Sequence, residues 1–391
     1  MTLVEVVRKR GPITVAAFMD LALYDPRFGY YTRAAQRSGR AGDFFTSVDV
    51  GSLFGELLAT QIVEMATIVA ESPDDTLTAA HSSERPLRGF GIDLVEVGAG
   101  NGRLSADILR ATGEQHAGVF EGLRLHLVEA SPAALAAQRQ TLGDAANHLT
   151  SSGETLPASF EGVVLANELL DAMPVHRVVS REGQLREVYV DCHRGKLVAV
   201  EGPPSTSDLA AYLARVGATL EDDCYAEINL RAVDWIADVA RRLRRGFVIV
   251  IDYGHEAREL YSVTHSSGTL TTFTRHSASA ADSAGRRPPW LERPGDQDLT
   301  AHVDFTGLKM AAEHAGLTTL GFLDQTYFLM ALLSPDAFVE PGEPSTQLRR
   351  RLALKTLIQP GGLGSSMKVI VFAKGVGTPT LRGCSGRARV T

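Results

Sequence analysis

The chain has 391 residues, more than the roughly 250–300 at which one hydrophobic core stops growing, so an elaborated domain or two are expected. Its 44% hydrophobic and 22% charged residues are globular proportions. The net charge, 39 − 46 = −7, argues against a sequence-independent nucleic-acid binder, which needs a basic excess for phosphate contacts. Arg241, Arg242, Arg244 and Arg245 form a local basic patch, read as a solvated helix end. Cys192, Cys224 and Cys384 are too far apart for a disulfide framework or a zinc site. No continuous apolar run approaches the ~20 residues of a membrane span, and residues 1–10 lack the apolar core of a secretory signal. A cytoplasmic protein without membrane insertion is expected.

In chain order, residues 13–24 read as a short helix, 37–47 as a Gly-rich polar loop, and 49–70 as an amphipathic helix with apolar residues at helical spacing. Residues 71–90 are a polar linker. Ile92–Val97 is then a short apolar strand, followed by Gly98-Ala-Gly-Asn-Gly102 and a helical pattern. Leu123–Val128 is a second strand, and Ser131-Pro132 opens a helix with a cap residue and a first-turn proline. Residues 162–166 and 247–251 are further continuous apolar strands. Strands apolar on both faces, alternating with helices, predict a parallel sheet covered by helices on each side. Between 175 and 200 the alternation breaks into three short strands joined by Glu182-Gly183 and Arg194-Gly195 turns, an antiparallel insertion. Residues 275–298 read as a long flexible loop, 304–315 as a helix capped by Asp304, 317–323 and 368–373 as strands, and the residues after Gly375 as an unstructured tail.

Three short segments could carry chemistry. Glycines at 98, 100 and 102, where a strand becomes a helix, let the backbone approach a ligand closely, and Glu96 is an acid that could partner an ammonium. Arg103 stands where a dinucleotide fingerprint wants glycine or alanine. Glu129 ends the second strand, where a carboxylate can take both ribose hydroxyls of a nucleoside; that geometry serves NAD and S-adenosylmethionine alike, and a helix-start acid is the plainer alternative. Asn167, Glu168 and Asp171 follow the third core strand. They read either as a helix cap with first-turn acids, or as carboxylates on one face that hold a cationic substrate. His302 is an acid/base candidate or a residue orienting a helix start. No His/Cys/Asp group has metal-ligand spacing, so no metal is expected.

Phe18–Pro26 with Gly29-Tyr-Tyr-Thr32, Gly42-Asp-Phe-Phe-Thr-Ser47, Leu53-Phe-Gly-Glu-Leu57, the Val95–Gly102 turn, His126-Leu-Val-Glu129, Asn167-Glu168 with Asp171-Ala-Met-Pro174, Ile251-Asp-Tyr-Gly254 and the 297–305 segment occur in order. Together with Gln359-Pro-Gly-Gly-Leu-Gly, they resemble the MidA family of S-adenosylmethionine-dependent methyltransferases, over about residues 10–375. The family includes the mitochondrial complex I assembly-factor arginine methyltransferase. The resemblance implies a Rossmann-like seven-stranded sheet with a helical N-terminal region (1–90), a methyltransferase domain (91–375) carrying a substrate-side insertion at about 175–225, and a tail (376–391). It implies S-adenosyl-L-methionine near Gly98, Gly100 and Glu129, with the loop holding Asp43 and Thr46 closing over it. It also implies a protein substrate, a respiratory complex I-type subunit methylated on arginine and oriented by Glu168 and Asp171. The chain departs from the family pattern at residues 271–294. An NAD-dependent dehydrogenase and a non-catalytic assembly protein of methyltransferase fold are the alternatives.

Overall fold

A computed structural model describes residues 2–33, 46–72, 91–274, 277–278, 288–334, 344–359 and 362–385. Most of the polar loop at 37–47, of the linker at 71–90 and of the first part of the 275–298 loop lies outside these residues.

The central sheet contains Ile92–Val97 (β1), Leu123–Val128 (β2), Leu149–Gly153 (β3), Phe160–Asn167 (β4), Leu243–His255 (β5), Thr318–Asp324 (β6) and Met367–Lys374 (β7), in the order β6-β7-β5-β4-β1-β2-β3. The strands from β5 to β3 are mutually parallel, whereas β7 runs antiparallel to both β5 and β6. The two-residue strand Val303–Asp304 pairs with the end of β5. β3 escapes a search for apolar runs because it is an edge strand, half-buried to exposed, with the polar sequence Leu-Thr-Ser-Ser-Gly.

Side chains alternate across this sheet with period two, which builds two cores. Leu94, Phe247, Ile249 and Ile251 pack with the helices Leu53–Glu71 and Arg103–Gln115 on one face. Val95, Val97, Val248 and Val250 pack with Leu230–Arg242 and Phe305–His314 on the other. The helix Leu53–Glu71 corrects the reading that no segment approaches a membrane span: its 19 residues and mean hydropathy of 1.5 would suffice by length and composition. Its apolar character serves the core instead, with Phe54, Leu58, Met65 and Val69 buried against the sheet. The basic patch is paired: Arg241 and Arg242 bond Asp238, and Arg244 and Arg245 bond Glu161.

The antiparallel insertion is larger than three strands. His176–Arg181, Gln184–His193 and Lys196–Gly202 are joined by Tyr225–Ile228 and by Ile13–Thr14 from the N-terminal region. Both tight turns adopt the left-handed backbone of hairpin loops, with φ of 51° and 71° at Glu182 and Gly183 and 49° and 76° at Arg194 and Gly195. The tail expectation needs correction as far as Ser385. Leu381 is 1% exposed, and Gly383 N–H donates to the buried Gln61 Oε1 (2.8 Å), so one apolar anchor and one backbone bond hold this segment to the core. The 275–298 loop is likewise partly built: Trp290 and Leu291 are buried, and Asp298–Thr300 pairs with Thr271–Thr274.

Candidate active site

Strand order reverses between β1 and β4, and the carboxyl ends of β1, β2, β4 and β5 open there into a cavity of about 1280 Å³. The glycine turn forms one wall. Gly98, Gly100 and Gly102 have φ of 72°, 52° and 84°, a region in which a side chain is strained. Gly98 and Ala99 donate their N–H groups to Val128 O (2.9 and 3.1 Å), which ties the turn to β2. Gly98 and Gly100 line the cavity, but Gly102 does not: it is the residue preceding the helix Arg103–Gln115, packed beneath the turn beside Leu127.

The Glu129 carboxylate crosses this turn. It accepts from Gly100 N–H (2.8 Å) through one oxygen and from Ser131 N–H (2.7 Å) through the other, while lining the cavity. Each oxygen has a second lone pair, so acceptor capacity remains for hydroxyl groups. Glu96 lies on the same wall, 4% exposed and bonded by the Ser105 hydroxyl, and burial pushes its carboxyl up to about 7. Thr46 also lines the cavity, with its N–H and hydroxyl both 3.0 Å from Asp49 Oδ2. Asp43 lies outside the described residues.

The neighbouring wall, at the end of β4, corrects the helix-cap reading of Asn167, Glu168 and Asp171. Asn167 ends β4, and residues 168–173 form an irregular turn, not a helix. The physical reason is Asp252, at the neighbouring position on β5. Its Oδ2 accepts from the N–H groups of Leu169 (3.1 Å), Leu170 (2.8 Å) and Asp171 (3.4 Å), which gathers three successive donors onto β5 and holds the segment as a turn. Glu168 has φ of 50°, a left-handed conformation unfavourable to a side-chain-bearing residue. Its carboxyl is pushed up to about 8 by burial and then by the charge of Asp171, against the favourable Asn167 amide (3.2 Å). Burial also raises Asp171, although the Tyr253 hydroxyl donates to it. Asn167, Glu168 and Asp171 all line the cavity. Among the described residues, Asn167 Oδ1 and Asp171 Oδ1 are buried acceptors without a hydrogen-bond donor.

Other lining residues were not singled out by sequence. Tyr24 donates to Ala172 O (3.0 Å), and Tyr31 donates to Asp298 Oδ1 (2.8 Å), so the N-terminal region braces the acidic wall. Tyr253 follows Asp252 at the end of β5 and lines the cavity, with its hydroxyl donating to Asp171. His302 is largely buried, with its ring edge-on to Tyr253, and the expectation of no metal-binding group meets a cluster of three histidines, His255, His265 and His302.

The sequence profile of the family described as "Putative S-adenosyl-L-methionine-dependent methyltransferase" matches residues 68–323. "Protein arginine methyltransferase NDUFAF7, mitochondrial" from Danio rerio is 30% identical, over 90% of this chain and 82% of that protein. The Drosophila melanogaster homologue of that name is 28% identical, over 94% and 82% respectively. The crystal structure of a COG1565 superfamily member from Burkholderia thailandensis, bound to S-adenosyl-homocysteine, superposes with a TM-score of 0.82 at 29% identity, covering 98% of this chain and 94% of that one. The cytoplasmic location expected from the sequence is overturned by these relatives, whose names place them in mitochondria. They also settle the choice between NAD and S-adenosylmethionine, which the glycine turn and Glu129 had left open. The chain belongs to this family of α/β methyltransferases, and its cofactor is S-adenosyl-L-methionine.

Proposed function

We propose that this methyltransferase acts on arginine side chains of a partner protein, and that the turn at 167–171 receives the guanidinium. The observation that carries the reading is the pair of donorless buried acceptors, Asn167 Oδ1 and Asp171 Oδ1, beside the Glu168 carboxyl. A guanidinium is a planar fork of five N–H donors that is always charged, and it supplies both the missing donors and a cation between two repelling acids. The names of the Danio rerio and Drosophila melanogaster relatives support the same substrate class.

Glu129 would take the ribose hydroxyls of S-adenosylmethionine, with Gly98 and Gly100 allowing its close approach and Glu96 and Thr46 facing it from the same cavity. The cofactor supplies a methyl group on a sulfonium leaving group. Glu168 and Asp171 hold the guanidinium so that one nitrogen points along the line of displacement, which is a gain in alignment and in electrostatics. As the N–C bond forms, that nitrogen loses a proton. Glu168 gives up its own proton when the guanidinium cation sits beside it, and its carboxylate, whose burial raises its proton affinity, is then placed to accept the proton. No carboxylate deprotonates free arginine outright, so orientation precedes proton loss.

The test is incubation of the purified chain with labelled S-adenosylmethionine and a protein extract, followed by mass spectrometry of the labelled peptides. Methylated arginine is expected. Label confined to lysine or to small molecules would overturn the arginine assignment. Saturable cofactor binding without label in any fraction would assign the chain to non-catalytic binding.

A further inference from the structure

We propose that His255, His265 and His302 form a binding site for a divalent transition-metal ion of the zinc class, on the wall of the methyl-transfer cavity. His255 and His265 are ten residues apart and His302 lies 37 residues further on, and the fold brings the three together. His255 ends β5, His302 precedes the two-residue strand that pairs with that end, and His265 closes the 3-10 turn Val263–His265. One nitrogen from each ring lies within 4.8 Å of the other two, and the ring centroids are 4.9, 5.3 and 6.0 Å apart. Nitrogens sharing a tetrahedral zinc, at 2.0–2.1 Å each, stand about 3.4 Å apart, so side-chain rotations of about an ångström would close the site.

The surroundings of the rings fit ligation better than mutual hydrogen bonding. His255 Nδ1 lies 3.0 Å from Glu259 Oε1, and His265 Nδ1 lies 3.1 Å from the backbone oxygen of the same residue. A metal-bound histidine usually spends its other nitrogen on a carboxylate or a carbonyl, which sets the tautomer and leaves a lone pair on Nε2. One residue, Glu259, provides both kinds of partner here. His302 completes the set, with its Nδ1 buried and without a hydrogen-bond partner among the described residues. Among the described residues the grouped ligand atoms are three imidazoles, a set that suits zinc, cobalt or nickel, whereas magnesium and calcium require oxygen ligands. Three protein ligands leave a fourth position for water or another ligand.

The consequence for the site is local order. His255 and His302 line the cavity, and the His302 ring stands edge-on to Tyr253 at 5.8 Å, the residue that donates to Asp171. An ion held by the three rings would cross-link β5, the 263–265 turn and the segment before Phe305–His314.

The experiment uses the full chain stripped with a chelator, titrated with zinc by calorimetry and with cobalt(II) by visible spectroscopy. One zinc per chain is expected, removable by chelator, with an intense cobalt band of four-coordinate type. Glu259→Gln should weaken zinc binding by about tenfold or more, the usual cost of losing an outer partner. His265→Ala and His302→Ala should weaken it further and remove the cobalt band, while His193→Ala, on an exposed strand end, should leave both unchanged. Circular dichroism checks folding. If His302→Ala does not fold, His265→Ala decides, because that ring is half-exposed and does not line the cavity. Absence of saturable zinc binding, or binding that persists in the folded His265→Ala protein, would overturn the site.

Discussion

Arg103 donates to Asp49 across 2.6 Å, from the first residue of the helix after the glycine turn to a carboxylate only 2% exposed. The same Asp49 carboxylate takes the N–H and hydroxyl of Thr46. One buried acid therefore fastens the N-terminal turn Ser47–Val50 to the helix that follows the glycine turn. Arg103, which stands where a dinucleotide-binding turn would have glycine or alanine, thus serves as an anchor for the Ser47–Val50 turn.

Asp49→Ala should leave Arg103 and Thr46 without their acceptor, at a cost of about 1–3 kcal/mol in stability. Affinity for S-adenosylmethionine should fall several-fold, because Thr46 is no longer held against the cavity. Denaturant unfolding and calorimetry on the same preparation check both. Unchanged values in the two measurements would make the bridge incidental.

Glu129→Ala removes the acceptor of Gly100 and Ser131 and the proposed partner of the ribose hydroxyls. Charge-assisted hydrogen bonds of roughly 1.5–3 kcal/mol each predict a loss of cofactor affinity of tenfold or more. Calorimetry with S-adenosylmethionine measures it. A change under about threefold in a folded variant would reduce Glu129 to a support for the turn.

Glu168→Gln keeps size and removes the ionisable carboxyl. Methyl transfer should fall by about 10²-fold or more, while cofactor affinity stays within a few-fold, since the residue is proposed to hold the guanidinium and not the cofactor. Initial rates with a labelled target and a binding isotherm separate the two effects. Equal rates in the two proteins would end the proposed role.

The raised carboxyls also predict how stability varies with pH. Glu168 keeps its proton in the folded chain up to about pH 8, whereas the unfolded side chain releases it near 4.5. The folded state binds the extra proton throughout that window, so the stability of the cofactor-free chain should fall as pH rises from about 4.5 to about 8. Glu96, raised to about 7 by burial, adds a decline of the same sign that ends earlier. Thermal melts across the window should show a shallower decline for Glu168→Gln than for wild type. Parallel curves would show that Glu168 titrates normally.

The sequence by itself determined most of the sheet and the glycine turn, because their signals are local. A strand buried on both faces is mostly apolar, as in Val163–Ala166 of β4 and Phe247–Ile251 of β5, and a tight strand-to-helix turn with left-handed backbone needs glycines such as Gly98. The same locality explains the errors. Residues 167–171 carry every mark of a helix start, yet Asp252, some eighty residues later, takes their N–H groups and holds them as a turn whose acids face the cavity. β3 is polar because the sheet edge does not bury it, and Leu381 is ordered because Gln61 and Phe328 lie beside its neighbour Gly383. His255, His265 and His302 have no spacing that a sequence pattern could register, and Arg103 gives no hint of Asp49. Each of these depends on partners brought together by strand pairing and burial, so only the tertiary structure decided them.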